Sequence, residues 1–229
     1  LMNEQIGWFG KMPAMGDFAQ RRLPPEFVRG WDQWIQSGLA DSRAALGADW
    51  QELYLTFPIW RFVLPPGWFG ATGWCGILMP SVDRVGRHFP LTVCHSIDTR
   101  AFGASSIDEI ETLLDGFTDA GLGALEGMGV DAFEQRLGVL RRPELLHTDG
   151  LIRPEAFRPQ GSIGAWPLDA PLSATTARAA GCMLLAALGE RALWWVPATG
   201  ESPGQMRLVP LPLNPALLTA LIGSGDVQA

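Results

Sequence analysis

Residues 80–91 read Pro80-Ser81-Val82-Asp83-Arg84-Val85-Gly86-Arg87-His88-Phe89-Pro90-Leu91. One acid, two arginines and a histidine stand between two apolar runs, Gly73-Trp74-Cys75-Gly76-Ile77-Leu78-Met79 before and Leu91-Thr92-Val93-Cys94-His95-Ser96-Ile97 after. Both runs are short and apolar between turn signals, the pattern of buried strands. Charges on a loop between two such strands sit where a scaffold can hold them rigidly. The loop therefore reads as a functional site or as a structural ion-pair corner, and both readings stay open at this point.

Working outward, residues 6–10 predict a first strand ending in a turn at Lys11-Met12-Pro13. Pro24-Pro25-Glu26 opens a helix, because proline is tolerated in the first turn and a carboxylate there complements the helix dipole. Phe27, Trp31, Trp34, Ile35 and Leu39 recur at helical spacing, and Gly47 is the stop. Residues 52–57 and 59–64 read as strands broken at Pro58, and 67–73 as a turn. Ser106-Ile107-Asp108-Glu109 has a capping-box pattern with Ile110, Leu113, Leu114 and Phe117 on one face behind it. Asp131-Ala132-Phe133-Glu134 repeats that signal ahead of Leu137 and Leu140.

Prolines and glycines make 142–171 a long irregular connection, and 173–188 reads as a mostly buried helix ending at Gly189. Residues 192–196, with Trp194-Trp195, predict a strand that 206–209 pairs with. Asn214-Pro215 caps a last helix carrying Leu217, Leu218, Leu221 and Ile222. This order predicts an α/β fold: a three-layer sandwich in which helices cover both faces of a mixed central sheet. A late strand added to the early sheet makes residues 1–229 a single domain.

The chain is long enough for a sizeable core, and 47% hydrophobic against 18% charged residues is a globular composition. Ten tryptophans against one tyrosine place large apolar rings in the core or at partner contacts. With 17 basic and 24 acidic side chains the net charge is −7, and no Lys/Arg block offers a footprint for a phosphate backbone. Nucleic acid is excluded on that ground. Cys75, Cys94 and Cys182 lie far apart in apolar company, as expected of reduced, buried thiols. No secretory leader pattern opens the chain, and its apolar runs fall short of the ~18 to 20 residues a membrane helix needs. The expectation is a soluble, cytoplasmic protein without membrane insertion.

Each chemistry lacks a part. Gly7-Trp8-Phe9-Gly10-Lys11-Met12 has two residues between its glycines and no hydroxyl after the lysine, so it is not a phosphate loop. His88, His95 and His147 share no ligand spacing, and no metal, cofactor or small-molecule substrate is expected. A hydrolase would use Ser81 or Cys75 with His88, yet no Gly-x-Ser-x-Gly elbow is present. Asp17, Asp32, Asp83, Arg84 and Arg87 remain as a charged set among apolar neighbours. They read as an ion-pair network pinning the first turn and first helix to the sheet edge, or as an Arg84/Arg87 pair receiving an acidic or phosphorylated partner. Trp60, Trp68 and Trp74 flank the loop and suit either the core or an interface. The candidate structural or partner-binding cluster is thus Asp17, Trp31, Asp32, Trp60, Ser81, Asp83, Arg84 and Arg87.

Gly7 to Pro13 with Gly16-Asp17-Phe18 resembles the opening signature of the TagF (ImpM) family of type VI secretion accessory proteins. The resemblance continues through Phe27, Trp31-Asp32, Trp34, Ser42 and Leu46, and is densest in Pro58-Ile59-Trp60-Arg61-Phe62 and from Trp74 to Leu91. Leu193-Trp194-Trp195 is similar to the family's tryptophan-rich strand, whereas His88 stands where Tyr or Phe is expected. The resemblance implies a three-layer α/β domain without the fused phosphatase domain of some relatives. It also implies a non-enzymatic, post-translational repressor of type VI secretion in Gram-negative bacteria. Its implied partner is the system's forkhead-associated scaffold protein, engaged independently of threonine phosphorylation. It brings no catalytic residues or cofactors. A hydrolase and a structural subunit of the apparatus are the alternatives.

Overall fold

Period-two alternation decides how this chain layers. In the computed structural model, which describes residues 6–97, 104–141, 191–199 and 203–226, the strands are β1 (Gly7–Gly10), β2 (Ala19–Arg21), β3 (Trp60–Leu64), β4 (Gly73–Met79), β5 (Leu91–Ile97), β6 (Arg191–Val196) and β7 (Gln205–Pro210). They form a seven-stranded sheet in the order β2-β1-β5-β4-β3-β6-β7. The two late strands extend the sheet that β1 begins.

Successive side chains of a strand point to opposite faces, and here both faces are apolar. Phe9, Trp60, Phe62, Leu64, Trp74, Leu78, Cys94 and Trp194 bury one face against α1 (Pro25–Leu46), α2 (Trp50–Thr56) and α5 (Ala216–Ile222). Trp8, Val63, Cys75, Ile77, Met79, Leu91 and Val93 bury the other against α3 (Ala104–Leu125) and α4 (Val130–Gly138). This is the expected three-layer α/β sandwich. The sheet is not mixed, however, since every described pairing is antiparallel. Parallel neighbours need long crossovers, whereas β3, β4 and β5 follow one another as a meander through the loops at 65–72 and 80–90.

Helix α1 starts with proline and Glu26 in its first turn and stops at Gly47, whose φ of 57° lies in the left-handed region. Of residues 52–57, expected as a strand, 52–56 belong to helix α2 and Phe57 is the extended residue that ends it. Trp50 and Tyr54, one helical turn apart, stack at 5.0 Å and face the core, while Leu55 is exposed. Helix α3 begins at Ala104, two residues ahead of the expected cap at Ser106. Cys182, His147, the connection at 142–171 and the helix expected at 173–188 lie outside the described residues.

The indole core is dense. Trp31 packs against Trp34 at 4.9 Å and Phe62 at 5.1 Å, and lies parallel to Trp194 at 6.2 Å. Room for Phe62 comes from Gly76, directly across on β4. A Cβ at Gly76 would sit 2.6 Å from the Phe62 ring and 2.5 Å from the Val93 carbonyl oxygen. Gly76→Ala is therefore expected to destabilise the fold by about 1–3 kcal/mol, the usual cost of overpacking. Urea denaturation should show a lower midpoint at an unchanged slope.

Candidate functional site

Strand β1 runs antiparallel to β5, with Phe9 opposite Thr92, so β1 ends where β5 begins. Lys11 and the turn after it thus emerge beside the 80–90 loop. Helix α2 reaches the same end through Tyr54. Three segments distant in the chain converge there because the sheet's topology brings them together.

At their centre is the Asp83 carboxylate, in a residue only 2% exposed. Its Oδ1 accepts the backbone N–H groups of Val85 at 3.0 Å and Arg87 at 2.9 Å. Its Oδ2 accepts Arg87 Nε at 2.6 Å and lies 3.1 Å from the Lys11 ammonium. The Gly86 N–H closes the turn onto the Asp83 carbonyl at 2.9 Å, and Gly86 takes a φ of 83° that favours glycine. Burial by itself would raise the Asp83 pKa. The Arg87 N–H and guanidinium, the Lys11 ammonium and the Val85 N–H more than reverse this, holding the carboxyl well below the usual carboxylate range.

The loop is also tied to its neighbours. The Arg84 N–H donates to the Met15 carbonyl at 2.8 Å, and Arg87 Nη2 to the Gly16 carbonyl at 2.7 Å. Ser81 Oγ donates to the Lys11 carbonyl at 2.7 Å. The Tyr54 hydroxyl donates to the Ser81 carbonyl at 2.8 Å and accepts the Ser81 N–H at 3.3 Å. Burial pushes the Tyr54 phenol well above its ordinary pKa, so it remains an O–H donor at neutral pH.

Of the eight candidate residues, Ser81, Asp83 and Arg87 bond within this junction, and Arg84 joins through its backbone. The expected five-member ion-pair network is corrected. Asp17 is exposed and accepts its neighbour Phe18's N–H at 2.8 Å, without an ion pair to either arginine. Asp32 sits on α1 and accepts Gln36 Nε2 at 2.7 Å. The Arg84 guanidinium is exposed and makes no ion pair among the described residues. The junction pins the loop to the first turn at the middle of the sheet, not at its edge, since β4 and β5 are interior strands.

Trp31 and Trp60 are fully buried, with indole N–H groups donating to Thr92 Oγ1 at 2.8 Å and the Leu221 carbonyl at 3.2 Å. Trp74 is buried too, and Trp68 packs partly buried against the same core, so these rings are core and not interface anchors. Lys11 and Tyr54 are the members that the sequence reading missed. Their signals were a lysine inside an apolar stretch and a lone tyrosine in a tryptophan-rich chain.

Among the described residues, His88, Cys75 and Cys94 are committed to structure. His88 meets Trp50 and Tyr54 edge-on, both at 5.1 Å, and so serves as the aromatic residue expected at its position. Burial, then Arg43 and Lys11, lower its pKa against an opposing pull from Asp83. Burial pushes the Cys75 thiol up to about 12 and raises Cys94 as well. Among the described residues no cluster of His, Cys, Asp or Glu is arranged to hold a metal ion, and no helix is long and apolar enough to cross a membrane.

Two outcomes test the junction. Because its folded pKa is depressed, Asp83 contributes stability that is fully present above its unfolded value of about 3.9 and is lost as pH falls below it. Melting curves from pH 7 to 2 should show wild-type stability dropping below about pH 4. Asp83→Asn should melt lower at pH 7 and lose part of that acid-dependent drop. Tyr54→Phe takes the acceptor from the buried Ser81 N–H and leaves the Ser81 carbonyl only the Phe89 N–H, and it should cost about 1–3 kcal/mol in chemical denaturation.

Comparison with known proteins follows the same residues. A model of the TagF N-terminal domain, described as type VI secretion system-associated, matches residues 7–140. Three chains of solved structures match. One is the crystal structure of PA0076 from Pseudomonas aeruginosa PAO1, 31% identical, with a TM-score of 0.73 over 98% of this chain and 97% of that one. A search of curated proteins gives no match.

Proposed function

The chain belongs to the TagF family, associated with type VI secretion, and from that premise we propose that it is a non-enzymatic, post-translational repressor of the secretion apparatus. It acts in the cytoplasm of a Gram-negative bacterium by binding the forkhead-associated scaffold protein of the system and holding it inactive. The same reading takes residues 1–229 as one TagF-like domain, since β6 and β7 complete the sheet that β1 begins. The observation that carries it is the family match over residues 7–140, which spans the whole loop junction.

The junction's chemistry supports a binding role over a hydrolytic one. A nucleophilic serine needs a base within hydrogen-bond reach. Here the Ser81 hydroxyl donates to the Lys11 carbonyl, and the His88 ring packs against Trp50 and Tyr54. The buried thiols, with raised pKa values, are equally unsuited to attack.

Deleting the gene should raise effector secretion, and overproducing the protein should suppress it; the repressor reading fails if neither changes. A hydrolase would instead lose function in Ser81→Ala or His88→Ala variants of unchanged melting temperature. Stable co-purification with the assembled baseplate, in place of the soluble scaffold, would mark a structural subunit.

A further inference from the structure

We propose that the turn Arg84-Val85-Gly86-Arg87, together with Phe18, is a preformed docking surface for a carboxylate-bearing segment of a protein partner. This deepens the repressor reading and rests on it, by supplying the face through which the scaffold is held.

The first ground is exposure on a fixed frame. Val85 is 70% exposed and Phe18 45%, although both belong to tightly bonded loops. Phe18 stacks on Phe9 and meets Phe89 edge-on at 4.6 Å, with the Lys11 ammonium 4.8 Å from its ring centroid. Val85 cannot retreat, because its own N–H and those of Arg84, Gly86 and Arg87 are all bonded. A surface already ordered in the free protein avoids much of the entropy cost of association.

The second ground is charge. Arg87 Nη2 donates to the Gly16 carbonyl, and Arg84 Nη2 lies 3.4 Å from where a Gly16 Cβ would stand, so both guanidiniums converge on Gly16. On the loop and the first turn the cations are Lys11, Arg84 and Arg87 and the carboxylates are Asp83 and Asp17, and Arg43 of α1 adds a cation on the His88 side. Asp83 takes up Lys11 and Arg87, which leaves the exposed Arg84 guanidinium without an ion pair among the described residues. A carboxylate pairs with that guanidinium through a planar fork. On a chain of net charge −7 this local positive charge also selects partners by electrostatic complementarity. Val85 and Phe18 supply apolar contact beside the charged pair.

The test titrates the full chain with the purified forkhead-associated scaffold protein by calorimetry. Arg84→Glu and Val85→Ser are compared with Arg29→Glu, an exposed control on α1 outside the patch. Melting temperatures should be unchanged in all three. Arg84→Glu should weaken binding about tenfold or more and Val85→Ser several-fold, the scale of losses at interface anchors. Arg29→Glu should bind like wild type. Wild-type binding that survives Arg84→Glu overturns the surface and leaves the repressor reading intact.

If the wild-type chain does not bind the scaffold, that partner fails, and a second probe decides the surface. An N-acetylated peptide alternating glutamate and leucine is then followed by amide NMR shifts. Shifts confined to residues 11–18 and 80–90 and abolished by Arg84→Glu support the surface. Their absence, or their persistence in the variant, overturns it. A phosphoserine-containing counterpart binding tenfold tighter would overturn the carboxylate assignment.

Discussion

The buried carboxylate of Asp83 is the constraint on which this end of the molecule depends. An ionised group removed from water is costly unless opposite charge and hydrogen bonds replace its hydration. Asp83 receives two N–H groups from its own turn, a guanidinium four residues on and an ammonium from the end of β1. The first two fix the turn's shape, the guanidinium ties Asp83 to Arg87, and the ammonium locks the turn onto the first strand. Ser81 adds a second tie to Lys11 and a tie to α2 through Tyr54. Since these bonds share partners, their contributions are coupled and not additive.

The rest of the fold arranges for that junction to exist. Two apolar faces on one sheet require helices on both sides, and the aromatic face carries most of the load. Large rings fill volume efficiently, but each indole N–H needs an acceptor once buried. Thr92, Ser42 and the carbonyls of Asn214 and Leu221 supply four of them, tying α1, α2 and α5 to each other and to the sheet. On the opposite face a buried polar residue, Arg61 of β3, pairs with Glu111 and Asp115 of α3. Glu111 also accepts the Trp195 N–H at 2.9 Å, so one carboxylate joins two neighbouring strands to the helix above them. Polar atoms enter both interfaces where they select one docking of helix on sheet.

What was legible in the sequence follows from locality. Strands buried on both faces appear as continuous apolar runs, which is why β4 and β5 were readable to the residue. Helix α1 declared itself through a long periodic stripe with proline at one end and glycine at the other. Residues 52–57 failed because so short a segment fits two periods: Leu53, Leu55 and Phe57 alternate, while Trp50 and Tyr54 are a helical turn apart. The bonds of Trp50 to Ser42 and of Tyr54 to Ser81 settle the matter, and both are tertiary. Strand direction and charge partners are tertiary as well. Asp17 and Asp32 were grouped with the arginines by residue type, whereas chain path gave Asp83 to Lys11, far away in sequence.

Opposing a structural loop to an interfacial one proves too coarse for 80–90. Consecutive residues of one turn divide the work: Asp83 points inward and is consumed by bonding, while Arg84 and Val85 point outward and are left over. The two roles depend on each other. A flexible loop presenting the same side chains would lose rotamer and backbone freedom on binding, and that loss would subtract from affinity. Here folding has already met the ordering cost, because the carboxylate beneath fixes the backbone that carries the exposed groups. The inward bonds therefore do not compete with a binding role for the loop; they are the condition that makes its outward face a defined surface.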